Sequence, residues 1–209
     1  MPFPNLDSFT EELKNRPVRD IVRDRIFGGT PYVFRARPTS ADTLYDFIAK
    51  QFAISRDSVR IVGSAKIGFS LSPDNFPRRF TPRSDIDVVV VDEKMFDLVW
   101  MALLDWHYPR RSSGLARTDS DWARHRRREV YWGWFVPADI HFEGLSFPEA
   151  LKPVRELRTR WFNVFQGLSM FPEFSSRTVS GRLYRTWNLA YAYHTAGLNL
   201  VKEIASRSK

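Results

Sequence analysis

Asp85 and Asp87 stand one residue apart at the mouth of an apolar run, in the stretch RSDIDVVVVDE at 83–93. Val88 to Val91 are β-branched and predict a buried strand. Alternation along that strand puts the two carboxylates on one face and Ile86 on the other. Like charges this close, half removed from water, repel. One carboxyl must hold its proton, or something must compensate the pair; the usual compensator is a divalent cation bound through oxygen.

Two further pieces bear on the same chemistry. Gly63-Ser64 ends a predicted strand, VRIVGS at 59–64. A Gly-Ser turn ahead of a helix N-terminus points backbone N–H groups and a hydroxyl at a phosphate, and glycine lets the backbone come close. Asp139 lies in ADIHF, 138–142, a predicted strand on which Asp139, His141 and Glu143 share a face. Asp139 is the preferred third carboxylate, because Ala138 and Ile140 flank it as strand interior while Glu143 precedes Gly144 at a strand end. Glu143 stays as the alternative. His141 reads as structural, since Mg²⁺ prefers oxygen ligands.

The elements that must position these residues follow from pattern. Helices are predicted from Asp7 or Ser8 (the candidate cap) to about Asn15, over PVRDIVRDRIF at 17–27, and over TSADTLYDFIAKQF at 39–52, where Leu44, Phe47, Ile48 and Phe52 share a face. A Pro/Ser/Arg-rich loop spans 70–83, and KMFDLVWMALLDW, 94–106, reads as a largely buried helix. Residues 108–120 read as a loop, EVYWGWFV at 129–136 as a strand, and the chain from about Phe147 as helical with a break near 172–176. The expected fold class is α/β (α+β): a small mixed sheet with flanking helices and a C-terminal helical region. The expected division is a helical segment at 1–54 packing on the core, a catalytic core at 55–146, and a helical region at 147–209.

GSAKIG at 63–68 and SDID at 84–87, with a later acidic strand, resemble the nucleotidyltransferase superfamily with the DNA polymerase β-type fold, especially its minimal members. The resemblance covers about residues 58–143. It departs from the pattern in the enlarged link LSPDNFPRRFTPR and in having Lys66-Ile67 where those members tend to have Arg before the second Gly. The resemblance implies transfer of a nucleoside monophosphate from an NTP such as ATP to a hydroxyl. It implies two Mg²⁺ ions (Mn²⁺ as the alternative) on Asp85, Asp87 and Asp139, with Gly63, Ser64 and Lys66 at the triphosphate. It also implies a basic residue and an aromatic from a following helical region. Arg182, Arg185 and Tyr184, in GRLYRTWNLAYAYHTAGLNLVKEI at 181–204, are the candidates, expected on a helix. Small stand-alone members of the superfamily often belong to bacterial toxin–antitoxin or defence loci.

The charge balance points the same way. Lys and Arg total 32 against 24 Asp and Glu, a net charge of +8, which favours a polyanionic partner. Arg78, Arg79 and Arg83 precede the Asp pair. Arg124, Arg126, Arg127 and Arg128 lie beside Trp132 and Trp134, a pairing suited to single-stranded nucleic acid, although the tryptophans default to packing. RNA, tRNA included, is therefore the leading acceptor; a protein side chain and a second nucleotide follow. The alternative is a non-catalytic nucleotide-, RNA- or partner-binding module of the same fold, as an antitoxin or sensor would be. Cysteine is absent, which excludes disulfides and thiolate chemistry. No long uncharged apolar window and no basic-then-apolar start occur, so the expectation is a cytoplasmic protein without a membrane span.

Overall fold

The computed structural model describes residues 5–110, 117–140 and 148–207. The elements run α1 (Leu6–Asn15), α2 (Val18–Ile21) continuing into a π-helical turn (Val22–Phe27), α3 (Thr39–Phe52), β1 (Val59–Val62), α4 (Gly63–Ile67), β2 (Ile86–Val91), α5 (Glu93–His107), α6 (Arg117–Trp132), β3 (Trp134–Phe135), α7 (Lys152–Gly167), β4 (Val179–Tyr184) and α8 (Trp187–Arg207). Local chemistry explains several boundaries. The Asn5 side chain accepts from Ser8 N at 2.8 Å and starts α1, so the cap is Asn5 rather than Asp7 or Ser8. Asp92 accepts from Met95 N at 2.7 Å and turns the chain from β2 directly into α5.

The fold is α+β, a mixed four-stranded sheet in the order β1-β2-β4-β3 with helices on both faces. β1 is antiparallel to β2, β2 parallel to β4, and β3 antiparallel to β4. One face, through Ile61, Ile86, Val88, Val90 and Leu183, packs with buried residues of α3, α5 and α7. The other, through Val62, Val89, Val91 and Tyr184, packs with Phe9 of α1, Ile21 of α2, the π-helical turn and Leu198 of α8. β2 is buried at every position but Asp87, as a strand covered on both faces requires.

Three expectations on secondary structure are corrected. Residues 179–184, read as the start of a helix, form β4, whose β-branched and aromatic ends and Gly181 suit the sheet interior. At Gly181 an added Cβ would meet the rings of Phe165 and Trp161. The stretch 129–136, read as one strand, is the end of α6, a glycine turn and then β3 of only two residues. α6 also takes in 117–120 of the expected loop. Asp139, expected inside a strand, lies in a 3-10 turn, Pro137–Asp139, which Pro137 opens. No helix among the described residues is long and apolar enough to cross a membrane.

Candidate active site

The sheet register sets the site. Val62 pairs with Asp87 across β1 and β2, and Asp87 pairs with Ser180 across β2 and β4. Two residues further on, Val89 pairs with Arg182, so Asp87, Ser180 and Arg182 lie on one face. The Ser180 hydroxyl donates to Asp87 Oδ1 at 3.3 Å. Gly63 follows Val62 with φ +65°, and a Cβ added there would lie 2.9 Å from Asp87 Oδ2. The Gly-Ser turn therefore sits directly on the carboxylate, and only glycine allows that approach.

Asp85 is held at the entrance to β2. Arg177 donates to the Thr81 carbonyl at 2.9 Å and the Ser84 carbonyl at 3.0 Å, and Ile86 N donates to the Thr178 carbonyl at 2.9 Å. These bonds fasten the end of the long 70–85 link to the start of β4. The link is itself tied back by Ser70 N to the Arg78 carbonyl at 2.8 Å and Phe80 N to the Gly68 carbonyl at 2.9 Å.

A cavity of about 1850 Å³ opens over this face. Gly63, Ser64, Arg78, Asp87, Asp139 and Arg182 all line it, so the structure brings six sequence-predicted residues to one space. Asp87 is the exposed position of β2 and lines the cavity, whose walls partly desolvate it. The burial raises its carboxyl pKa; Asp85 raises it further, while the Ser180 bond and Arg182 oppose the rise.

Arg182 is the best-fixed group in the cavity. Its guanidinium lies 4.3 Å from the centroid of the Trp134 ring and 4.7 Å from that of Tyr193; the two rings meet edge to face at 5.6 Å, forming a corner in which cation–π attraction holds the charge. Burial lowers its pKa, but Tyr184 and Tyr193 more than offset this, so the net shift is upward. Glu129 of α6 lines the cavity with Asp139. Its pKa is raised chiefly by burial; Arg126 opposes the rise, Asp139 adds to it, and Arg182 lowers it. Arg182 therefore acts on two carboxylates of the cavity, lowering the pKa of both Asp87 and Glu129.

Other predicted residues fall elsewhere. Lys66 points away from the cavity: it is 3% exposed, donates to the Gly29 carbonyl, and is lowered to a pKa of about 8 by burial, then by Arg60. It props the 28–31 turn against α4 instead of meeting a phosphate. Arg185, beyond β4, pairs with Asp97 at 2.8 Å and Glu93 at 2.7 Å at the start of α5. Arg126 pairs with Glu129 at 2.7 Å along α6. Arg79 and Arg127 are exposed outside the cavity lining. His141 and Glu143 lie outside the described residues. Glu129, Ser180 and the Trp134–Tyr193 corner were missed. The signal for Ser180 and Arg182 was present as the alternation in VSGRLY, once that run is read as a strand.

Mg²⁺ demands hard oxygen donors in a near-octahedral shell. Among the described residues, no group of three or more His, Cys, Asp or Glu side chains is placed to hold a metal ion. Asp85, Asp87 and the Ser64 hydroxyl supply hard oxygens, and Mg²⁺ commonly uses one or two carboxylates and completes its shell with water and phosphate. By donor chemistry Asp85 and Asp87 suit such an ion, with Asp87 and Ser64 lining the cavity and Asp85 outside its lining. No known family matches the chain, and neither the curated proteins nor the solved structures compared with it give a match.

Proposed function

We propose that this protein is a metal-dependent nucleotidyltransferase that moves a nucleoside monophosphate from an NTP to a hydroxyl of an RNA acceptor. The observation that supports this reading is the seating of the Gly63 turn on the Asp87 carboxylate, in a cavity shared with Arg182 and Asp139. Asp85 and Asp87 would hold Mg²⁺, or Mn²⁺ in its place, which when bound polarises the phosphoryl oxygens. The Ser64 hydroxyl and the backbone at 63–64 orient the triphosphate. Arg182, already stacked and charged, faces the negative charge that collects on the departing pyrophosphate. The acceptor oxygen forms its bond to the α-phosphorus as the α–β bridge breaks, and the hydroxyl proton passes to Asp139 or Glu129.

A binding module without turnover is the second reading, and β4 favours it. The strand next to β2 presents Ser180 and Arg182, whereas the resemblance puts a carboxylate on a third strand. The test is incubation with labelled NTPs, Mg²⁺ and total RNA. Label transferred by the wild type, and lost with Asp85→Ala plus Asp87→Ala or with Asp87→Asn, supports the enzyme. Equal label from all three, or none with either metal, supports the binding module.

A further inference from the structure

The last two turns of α6 carry a surface that the transfer chemistry leaves unused. Arg124, Arg128 and Tyr131 fall at i, i+4 and i+7, and His125, Arg128 and Trp132 at i, i+3 and i+7, so they form one continuous stripe. The stripe is exposed. Tyr131 is 81% and Trp132 54% exposed, with ring centroids 5.5 Å apart and edge to face. The expectation that aromatics here default to packing holds for Trp134, which covers Arg182, but not for this pair. His125, Arg128, Tyr131 and Trp132 all line the cavity that holds Asp87.

We propose that this face of α6 is the landing platform for the unpaired end of a single-stranded RNA acceptor, with bases stacked on Tyr131 and Trp132 and a backbone phosphate on Arg128. The role of acceptor rests on the nucleotidyltransferase reading; the binding does not. The chemistry selects the occupant. Two flat, exposed rings beside guanidinium groups match alternating bases and phosphates. An acidic peptide would pair with the arginines but leave the rings uncovered. A duplex has no free base face to offer them. The shared cavity puts the stripe and the Asp87 carboxylate on one continuous surface, so RNA held there has its terminal hydroxyl directed toward the transfer site.

The experiment measures anisotropy of a fluorescently labelled 12-nucleotide single-stranded RNA, without NTP or Mg²⁺, so that turnover plays no part. The competitors are the matching RNA duplex, the matching DNA strand and an acidic peptide. Tyr131→Ala with Trp132→Ala should weaken RNA binding by about 10- to 100-fold. Tyr131→Phe with Trp132→Phe should restore most of it, and Arg128→Ala should weaken it and reduce its salt dependence. Both rings are largely in solvent, so circular dichroism of the alanine pair should match the wild type. Equal affinity for duplex, tighter binding of DNA, displacement by the peptide, or alanine variants that bind as the wild type does would each overturn the proposal. RNA binding with these dependences but no label transfer would sink the enzyme reading alone. Transfer to another acceptor without RNA binding would sink this proposal alone.

Discussion

Gly63→Ala probes the contact on which the site is built. Gly63 has φ +65°, where an L side chain costs about 1–2 kcal/mol. The new Cβ would lie 2.9 Å from Asp87 Oδ2, 3.7 Å from Cγ and 3.8 Å from Cβ. Only the carboxylate oxygen is too close, so the Asp87 side chain must rotate away. That rotation breaks the 3.3 Å bond from Ser180, a net loss of about 1 kcal/mol. The expected cost is therefore about 2–3 kcal/mol, or about 4–12 °C in Tm for a chain of this length. In an Asp87→Ala background the clash and the bond are both gone, and only the backbone strain of about 1–2 kcal/mol is left. Urea unfolding followed by tryptophan fluorescence measures all four corners of the cycle, and the coupling should be about 1 kcal/mol. A cost that is equal in both backgrounds, to within about 0.3 kcal/mol, would show that the glycine turn does not rest on Asp87. Gly197→Ala is the control: nothing lies within 4 Å of its added Cβ in α8, so stability should hold or rise by up to about 1 kcal/mol.

Two buried bases give opposite ends of the pH–stability curve. His194 is lowered to a pKa of about 4 by burial, then by Arg182, and its Nε2 is buried without a hydrogen bond. Its folded pKa is below the unfolded value of 6.5, so its contribution is intact above 6.5 and lost as the pH falls toward 4. Relative to His194→Phe, wild-type unfolding free energy should drop in that window with a slope of at most about 1.4 kcal/mol per pH unit; parallel curves would refute the burial. Lys66, at about 8 against 10.5, binds fewer protons folded than unfolded between those values, so stability rises with pH there. Relative to Lys66→Met, the wild type should gain stability from pH 8 to 10.5, read by urea midpoints; no relative gain would put Lys66 in solvent.

What the sequence made legible was what depends on short-range pattern. The β-branched run after Asp87 is a buried strand because nothing else suits four consecutive valines. The Gly-Ser turn and Asp87 meet because β1 and β2 are antiparallel neighbours, with Val62 paired to Asp87. β4 was misread because VSGRLY leads, after only two residues, into a long helix whose 3.6-residue pattern spreads backwards over it. Its place between β2 and β3 is a long-range pairing that no local period records. α6 was misread in the same way: the alternating aromatics in VYWGWF imitate a strand, while Gly133, at φ +73°, divides a helix end from two strand residues.

The two misreadings bear on one residue. Reading 181–204 as a helix put Arg182 and Arg185 on a single face as equivalent cations. On β4 and its exit they separate, Arg185 to the acidic start of α5 and Arg182 into the cavity. One ring against Arg182 comes from Trp134, the residue that follows the α6 turn, and the other from Tyr193 of α8. A guanidinium packed against two rings keeps its charge and loses little rotational freedom when a phosphate arrives. That arrangement needs β3, β4 and α8 together, so it is a property of the tertiary fold. From there Arg182 lowers the pKa of Asp87, but by less than burial raises it, so the cation offsets only part of the cost of placing a carboxylate in this cavity.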